Sequence, residues 1–308
     1  MAISTGLLSV ADLTADDIRH LISDAIRSKQ RGSSAFLNGK VLALVFEKPS
    51  LRTRVSFDVA MWQLGGHAVY LSPDEIGLGK REKISDVART LSRFVDGIVA
   101  RTFSHPTLEK LAEYSRVPVI NGLSDYEHPC QALGDLLTIH EKRGVLKGLR
   151  LAFVGDGNNV ARSLLMAASL VGMDFCIASP PGYALEEATL HRAEGFAAKS
   201  GARISATSDH RLAVRDADIV YTDVWISMGQ EAEAGDRHQA FASYQVDTEL
   251  LSLAKEGAIF MHPLPAHHGE EVVEGLLDHP QSVVYDQAEN RLHIQKAILL
   301  KVLGGQVA

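Results

Sequence analysis

Short apolar runs alternate with amphipathic helical patterns along almost all of this 308-residue chain, and that alternation leaves few folds open. A strand buried on both faces reads as an unbroken apolar run, and strands joined through a helix pair in parallel. Strands are expected at 41–46, 68–71, 97–100 and 117–120, with helices at 14–30, 53–64, 84–94, 106–114 and 129–143. The pattern restarts after Gly144–Gly148, which reads as a hinge. Strands follow at 149–154, 174–178, 202–205, 218–222, 258–261 and 282–285, and helices at about 160–171, 186–199, 247–253, 270–277 and 287–303. The segments 72–83, too glycine-rich and charged to bury, and 224–244 read as polar loops. The expectation is an α/β chain with two doubly wound parallel-sheet domains, residues 1–143 and 144–286, and the active site in the cleft between them. The last helix, within 287–308, is expected to pack back onto the first domain.

In open parallel sheets, ligands bind beyond the carboxyl ends of the strands. The run Val41–Phe46 stops at a Lys48-Pro49 break, and Ser50 stands where a helix N-cap would stand. The first-turn N–H groups of a helix have no helical partner, and the macrodipole is positive there. Ser50, Arg52, Thr53 and Arg54 crowd that turn with hydroxyls and guanidiniums, so it reads as an anion site suited to phosphate. Later strand ends in the first half carry Arg101, then His128 and Gln131. The second half carries Asn158 and Asn159, then Asp223, then His262. One half offers cations and donors; the other offers an amide and a carboxylate, suited to an ammonium.

Other chemistries fit less well. The formal net charge of −7 argues against a nucleic-acid surface. No apolar run reaches the roughly 20 residues of a membrane span, and Met1–Val10 has no secretory pattern. Cys130 and Cys176 read as reduced, buried thiols of a cytoplasmic protein. Gly155-x-Gly157 follows a strand, but position 160 is Val, and no acid ends the next strand at Ile177-Ala178-Ser179-Pro180, so a dinucleotide is not expected. The run from His262 to Glu271 lacks two histidines one helical turn apart, and prolines interrupt it, so no metal and no cofactor are expected.

With these residues assembled, the chain resembles the aspartate/ornithine carbamoyltransferase family over essentially its whole length, and most closely the ornithine branch. The family's phosphate motif stands as Ser50-Leu51-Arg52-Thr53-Arg54, and its His-Pro-x-Gln as His128-Pro129-Cys130-Gln131. The branch's Asp-x-Trp-x-Ser-Met-Gly stands as Asp223 to Gly229, and its closing signature as Phe260 to Pro265 and Asp286 to Arg291. The resemblance implies that residues 1–143 bind carbamoyl phosphate and 144–286 bind L-ornithine, giving L-citrulline and phosphate in arginine metabolism. Carbamoyl phosphate would meet Ser50, Leu51, Arg52, Thr53, Arg101, His128, Gln131, Pro263, Leu264 and Arg291, with Arg52, Thr53, Arg101 and His128 catalytic. Ornithine would meet Asn159, Asp223, Ser227 and Met228. The resemblance also implies no nucleic-acid or membrane partner, and a homotrimer or a multiple of trimers.

Two positions depart from the pattern. Leu51 stands where threonine is commoner, and Pro263 replaces the cysteine of the ornithine branch, as in the aspartate branch. Charge arbitrates between the branches. An aspartate site must hold two carboxylates, yet Val224–Glu231 has no cation and Arg237 is the first to follow. Asp223 suits an ammonium instead. Aspartate, putrescine or an acylated ornithine are the alternative acceptors, and a non-catalytic binding relative is the alternative of another class. Against that last reading, Arg52, Arg101 and His128 are all present.

Overall fold

The computed structural model describes residues 5–227 and 229–304. The chain divides into two compact units: residues up to Leu137 together with those from Glu289 onward, and Thr138–Ala288.

The first unit holds strands β1 (Gly6–Leu7), β2 (Val41–Phe46), β3 (His67–Leu71), β4 (Gly97–Arg101) and β5 (Val119–Leu123). They form a parallel sheet in the order β1-β5-β4-β2-β3. Helices α1 (Ala15–Arg31), α2 (Leu51–Gln63), α3 (Pro73–Ile76), α4 (Ile84–Leu91) and α5 (His105–Tyr114) connect them, and α6 (Pro129–Arg143) leads onward. Residues Leu42 to Phe46 of β2 are fully buried, which is why that run carries no alternation. From β2 the chain moves outward to β3, then returns to β4 on the other side. The strand order therefore reverses between β2 and β4, and the loops after these strands flank the reversal.

The second unit repeats the plan with β6 (Arg150–Val154), β7 (Asp174–Ala178), β8 (Ile204–Thr207), β9 (Ile219–Thr222) and β10 (Ile259–Met261). Their order is β10-β9-β6-β7-β8, again parallel, with the reversal between β6 and β9. Its helices are α7 (Asn159–Val171), α8 (Glu187–Ser200), α9 (His210–Val214), α10 (Ala234–Phe241) and α11 (Thr248–Leu251). Helix α12 (Val284–Leu303) closes the chain. Its part beyond Glu289 belongs to the first unit, where Lys296 Nζ donates to Gly32 O at 2.7 Å and to Gln63 Oε1 at 3.2 Å.

Several expectations need correction. Residues 72–83 stay largely exposed but are not all loop: Ser72 N donates to Glu75 Oε2 to start α3, and Ile76 and Leu78 join the apolar core beside β2 and β4. The segment 224–244 is not all loop, because Trp225, Phe241 and Tyr244 sink into the second core and α10 forms between them. No helix spans 270–277. Gly269 and Gly275 have φ of 88° and 79°, and only the turn Leu276–Asp278 is helical, of the 3-10 kind. No strand spans 282–285 either: Ser282 makes an isolated bridge to Phe260, and α12 begins at Val284. Strands β1 and helix α9 were too short to leave a pattern.

Candidate active site

In the first unit, Ser50 caps α2. Its φ of −160° is extended, and its hydroxyl accepts from Thr53 N at 3.3 Å. No acid stands in the first turn of α2, so the positive end of the helix is not offset from within. Leu51 turns its side chain out, 73% exposed, leaving its main chain as its contribution to the turn. Arg54 turns away and stacks on the Tyr70 ring at 3.8 Å, so Arg52 is the guanidinium of this turn left for an anion.

Three further elements bring side chains to the same place. Phe46 pairs with Arg101 across β2 and β4, and Glu47 N donates to Arg101 O at 2.8 Å. The register of β4 on β5 slips between Ala100 and Arg101, with Gly122 as the extra residue. Bulges of this kind re-aim a side chain at a strand end. A Cβ on Gly122 would lie 3.2 Å from Ala100 O, so the residue is glycine for want of room. Arg291 of α12 donates to Thr53 Oγ1 at 2.7 Å, and both residues are buried. His128 and Gln131 open α6, also buried, and Gln131 Nε2 donates to Asp135 Oδ1 at 2.8 Å.

The electrostatics are unfavourable without a guest. Burial, then Arg291 and Arg52, lower the Arg101 pKa to about 10. Among the described residues, Arg101 Nε has no hydrogen-bond partner. Burial also lowers the Arg52 pKa. His128 is pushed well below the usual imidazole range by burial, then Arg291 and Arg101, so it is neutral at pH 7. Crowded, dehydrated cations around a helix N-terminus are what a compact, multiply charged anion would offset. Glu127 was missed from sequence. It is buried, accepts from Ser9 Oγ at 2.5 Å and Val10 N at 2.9 Å, and anchors the loop that delivers His128.

In the second unit, Gly155 takes a φ of 144°, which side chains rarely adopt, and Gly157 serves packing. A Cβ on Gly157 would lie 2.5 Å from Leu185 N. Asn158 caps α7, its Oδ1 accepting from Val160 N and Ala161 N at 3.0 Å each. Its Nδ2 donates to Asp223 Oδ2 at 2.8 Å. Asp223 directly follows β9, across the strand reversal, and Val224 N donates to its Oδ1 at 2.9 Å. Burial raises the Asp223 pKa. Asn159, half-buried, begins α7, and Ser227 N donates to Gln230 Oε1 at 2.9 Å. Met228 lies outside the described residues.

Arg237, the first cation after Asp223, is already engaged. It donates to Asp156 Oδ2, Trp225 O and Glu233 Oε2, each at 3.0 Å. Burial outweighs that partner and lifts Asp156 to about 6, which still leaves it ionised at neutral pH. His262 is fully buried. Its Nδ1 accepts from Leu264 N at 2.9 Å, so Nε2 carries the proton and faces Glu271 Oε1 at 3.1 Å. This bond holds the turn at Pro263 and Leu264, where Leu264 has a left-handed φ of 58° and precedes a cis proline.

The comparisons with known proteins match two successive stretches of the chain to two family models, the second of which takes in most of α12. Residues 6–141 match the family model described as the carbamoyl-P binding domain of aspartate/ornithine carbamoyltransferase. Residues 147–302 match its Asp/Orn binding domain. A protein of Anoxybacillus flavithermus named ornithine carbamoyltransferase is 52% identical over 300 residues, 96% of each chain. One of Pyrococcus furiosus, named as the anabolic form, is 52% identical over 303 residues, covering 97% of this chain and 96% of that one. The solved ornithine carbamoyltransferase of Pyrococcus furiosus superposes with a TM-score of 0.95 at 50% identity, over 99% of both chains.

Proposed function

The chain belongs to the aspartate/ornithine carbamoyltransferase family, and from that premise we propose how its own residues transfer a carbamoyl group. The reaction moves the carbamoyl group of carbamoyl phosphate to the δ-amine of L-ornithine, giving L-citrulline and phosphate, a step of arginine biosynthesis. Carbamoyl phosphate places its phosphate on the Ser50–Thr53 turn, with Arg52, Arg101 and Arg291 around it. Thr53, Arg101 and His128 face the carbonyl oxygen, where negative charge grows as the amine attacks. Donors fixed in place before reaction are usually the largest catalytic term. Gln131 and the carbonyls of Pro263 and Leu264 take the carbamoyl amide. Pro263 keeps the carbonyl that a cysteine would offer there. The C–O bond to phosphate breaks as the tetrahedral intermediate collapses, the proton lost by the attacking nitrogen passes to the phosphate, and the three guanidiniums stabilise the phosphate, which departs as the dianion.

Ornithine sets its α-ammonium on Asp223 and its carboxylate near Asn159, with Ser227 and Met228 along its side. The observation that carries this acceptor is the pairing state of the second unit: Asp223 is a buried carboxylate, while Arg237 is held by Asp156 and Glu233. The first cation after Asp223 is thereby taken, which disfavours an acceptor with a second carboxylate such as aspartate. The attacking δ-amine must be neutral. With an ordinary pKa of about 10.4, deprotonation costs about 4–5 kcal/mol at pH 7, so kcat/KM for ornithine rises with pH.

The test is phosphate release from carbamoyl phosphate with L-ornithine, L-aspartate, putrescine and N-acetylornithine offered separately. Ornithine-dependent release with citrulline formed is expected. Turnover with another amine alone would move the acceptor and keep the phosphate chemistry; silence with all four would favour a binding relative. We also propose a cytoplasmic homotrimer. Among the described residues no helix is long and apolar enough to cross a membrane. Leu51, Val55 and Trp62 give α2 an exposed apolar face that suits a second copy, and residues 72–83 are a candidate segment to reach a neighbour.

A further inference from the structure

We propose that the turn after β10 holds a divalent transition-metal site made by His267, Glu270 and Glu271. The prolines that interrupt the sequence run here do not prevent a site. Gly269, with φ of 88°, folds the chain back so that ligand atoms of the three side chains lie within 4.8 Å of one another. His267 Nδ1 stands 3.7 Å from Glu270 Oε2 and 3.9 Å from Glu271 Oε2. Ligands at about 2.0–2.1 Å from a tetrahedral zinc are separated by roughly 3.3 Å, so small rotations close the set. His267 and Glu270 are partly exposed and free to make them.

An independent observation sets this cluster apart from ordinary surface acids. Glu271 is fully buried and uses only one oxygen: Oε1 accepts from His267 N at 2.7 Å and faces His262 Nε2 at 3.1 Å. Oε2 is buried with no hydrogen-bond partner among the described residues, and it lies on the side of the His267 ring. A buried carboxylate oxygen left without a donor costs free energy that a cation would offset. The carboxylate is pre-oriented through its other oxygen, as ligands of tight metal sites are. One imidazole with carboxylates suits zinc or a neighbouring transition ion over magnesium or calcium, which prefer all-oxygen shells. His238 of α10, 3.9 Å from Glu270 Oε2, can steady that carboxylate from behind. The buried thiols Cys130 and Cys176 offer no surface competition. Since Glu271 also holds His262, a bound ion would stiffen the turn bearing Pro263 and Leu264.

The full-length chain, stripped with a chelator and dialysed, is titrated with zinc chloride by calorimetry, and with cobalt chloride followed by visible absorption. One saturable equivalent is expected, with the intense bands of four-coordinate cobalt. His267→Ala and Glu270→Gln each weaken binding about tenfold or more. Both positions are partly exposed, so their folding is not at stake, whereas Glu271→Gln disturbs the His262 turn. Absence of saturable binding, or binding unchanged in both His267→Ala and Glu270→Gln, overturns the proposal. Neither readout needs turnover, so the result is independent of the transfer reaction.

Discussion

Arg101 gives up most of its hydration to stand with Arg52 and Arg291, and that cost has a functional use only if an anion comes. Replacing it with methionine keeps length and removes a buried charge near like charges. Such exchanges are often neutral or stabilising. Arg101→Met should therefore unfold at a denaturant concentration no lower than the parent, while kcat falls about 10²–10³-fold. A variant that unfolds early, or one that keeps its rate, would remove Arg101 from the role given to it. Asp223 yields a pH prediction. Its folded pKa is raised by burial, so as pH falls it takes up a proton sooner than an exposed aspartate does. Only the ionised form attracts an ammonium. The KM for ornithine should rise on acidification, beginning at higher pH than an ordinary carboxylate would give, and ornithine binding there should release protons measurable by calorimetry in buffers of different ionisation enthalpy. Proton release absent at every acidic pH would place the ammonium elsewhere. Both residues were legible because each stands at or just after the end of a strand that the hydrophobic runs locate. The engagement of Arg237 by Asp156 was not, since 81 positions separate them and no local pattern announces the pair.

Asn158 does two things at once for α7, capping its first turn and holding Asp223, and the two can be separated. Asn158→Asp keeps an acceptor for Val160 N and Ala161 N but sets a carboxylate against Asp223. Asn158→Ala loses the cap, worth about 1 kcal/mol, and the donor together. Stability should drop by about that amount in the alanine variant, while the KM for ornithine should rise in both. A normal KM in Asn158→Asp would show that the contact with Asp223 is idle. Read as elements, the long helices and the central strands were legible because burial on both faces writes itself as uninterrupted apolar runs. What escaped has a common cause. Residues 72–83 carry few apolar side chains, and the large ones of 224–244 fall at its two ends, but Ile76, Leu78, Trp225 and Phe241 each bury. A few large side chains in a polar setting can anchor a segment without making a periodicity. The run near 282–285 failed in the opposite way: its valines bury, but at a single bridge and at the start of α12.

At the scale of the whole molecule, α2 carries an apolar stripe that its own unit leaves exposed. Leu51 and Trp62 are each 73% exposed and Val55 48%, and positions four and seven apart follow one helical face. Isolated exposed apolar residues need no explanation, but a stripe on the helix whose first turn cradles the phosphate does. Packed head to tail against a different patch of a second copy, as a closed trimer requires, that stripe would be buried and the anion turn stiffened at the same time. Trp62→Glu puts a charge into such an interface; a desolvated, unpaired carboxylate is far costlier there than on a free surface. By sedimentation, the parent should run with the mass of three copies or a multiple, and Trp62→Glu should shift toward single chains with its circular dichroism unchanged. Activity should fall with it on dilution, because α2 carries Ser50, Arg52 and Thr53. An unchanged mass in Trp62→Glu would leave this face to solvent and send the search for the subunit contact elsewhere. An unchanged activity in a dissociated variant would say that the Ser50 turn needs no neighbour to hold its shape.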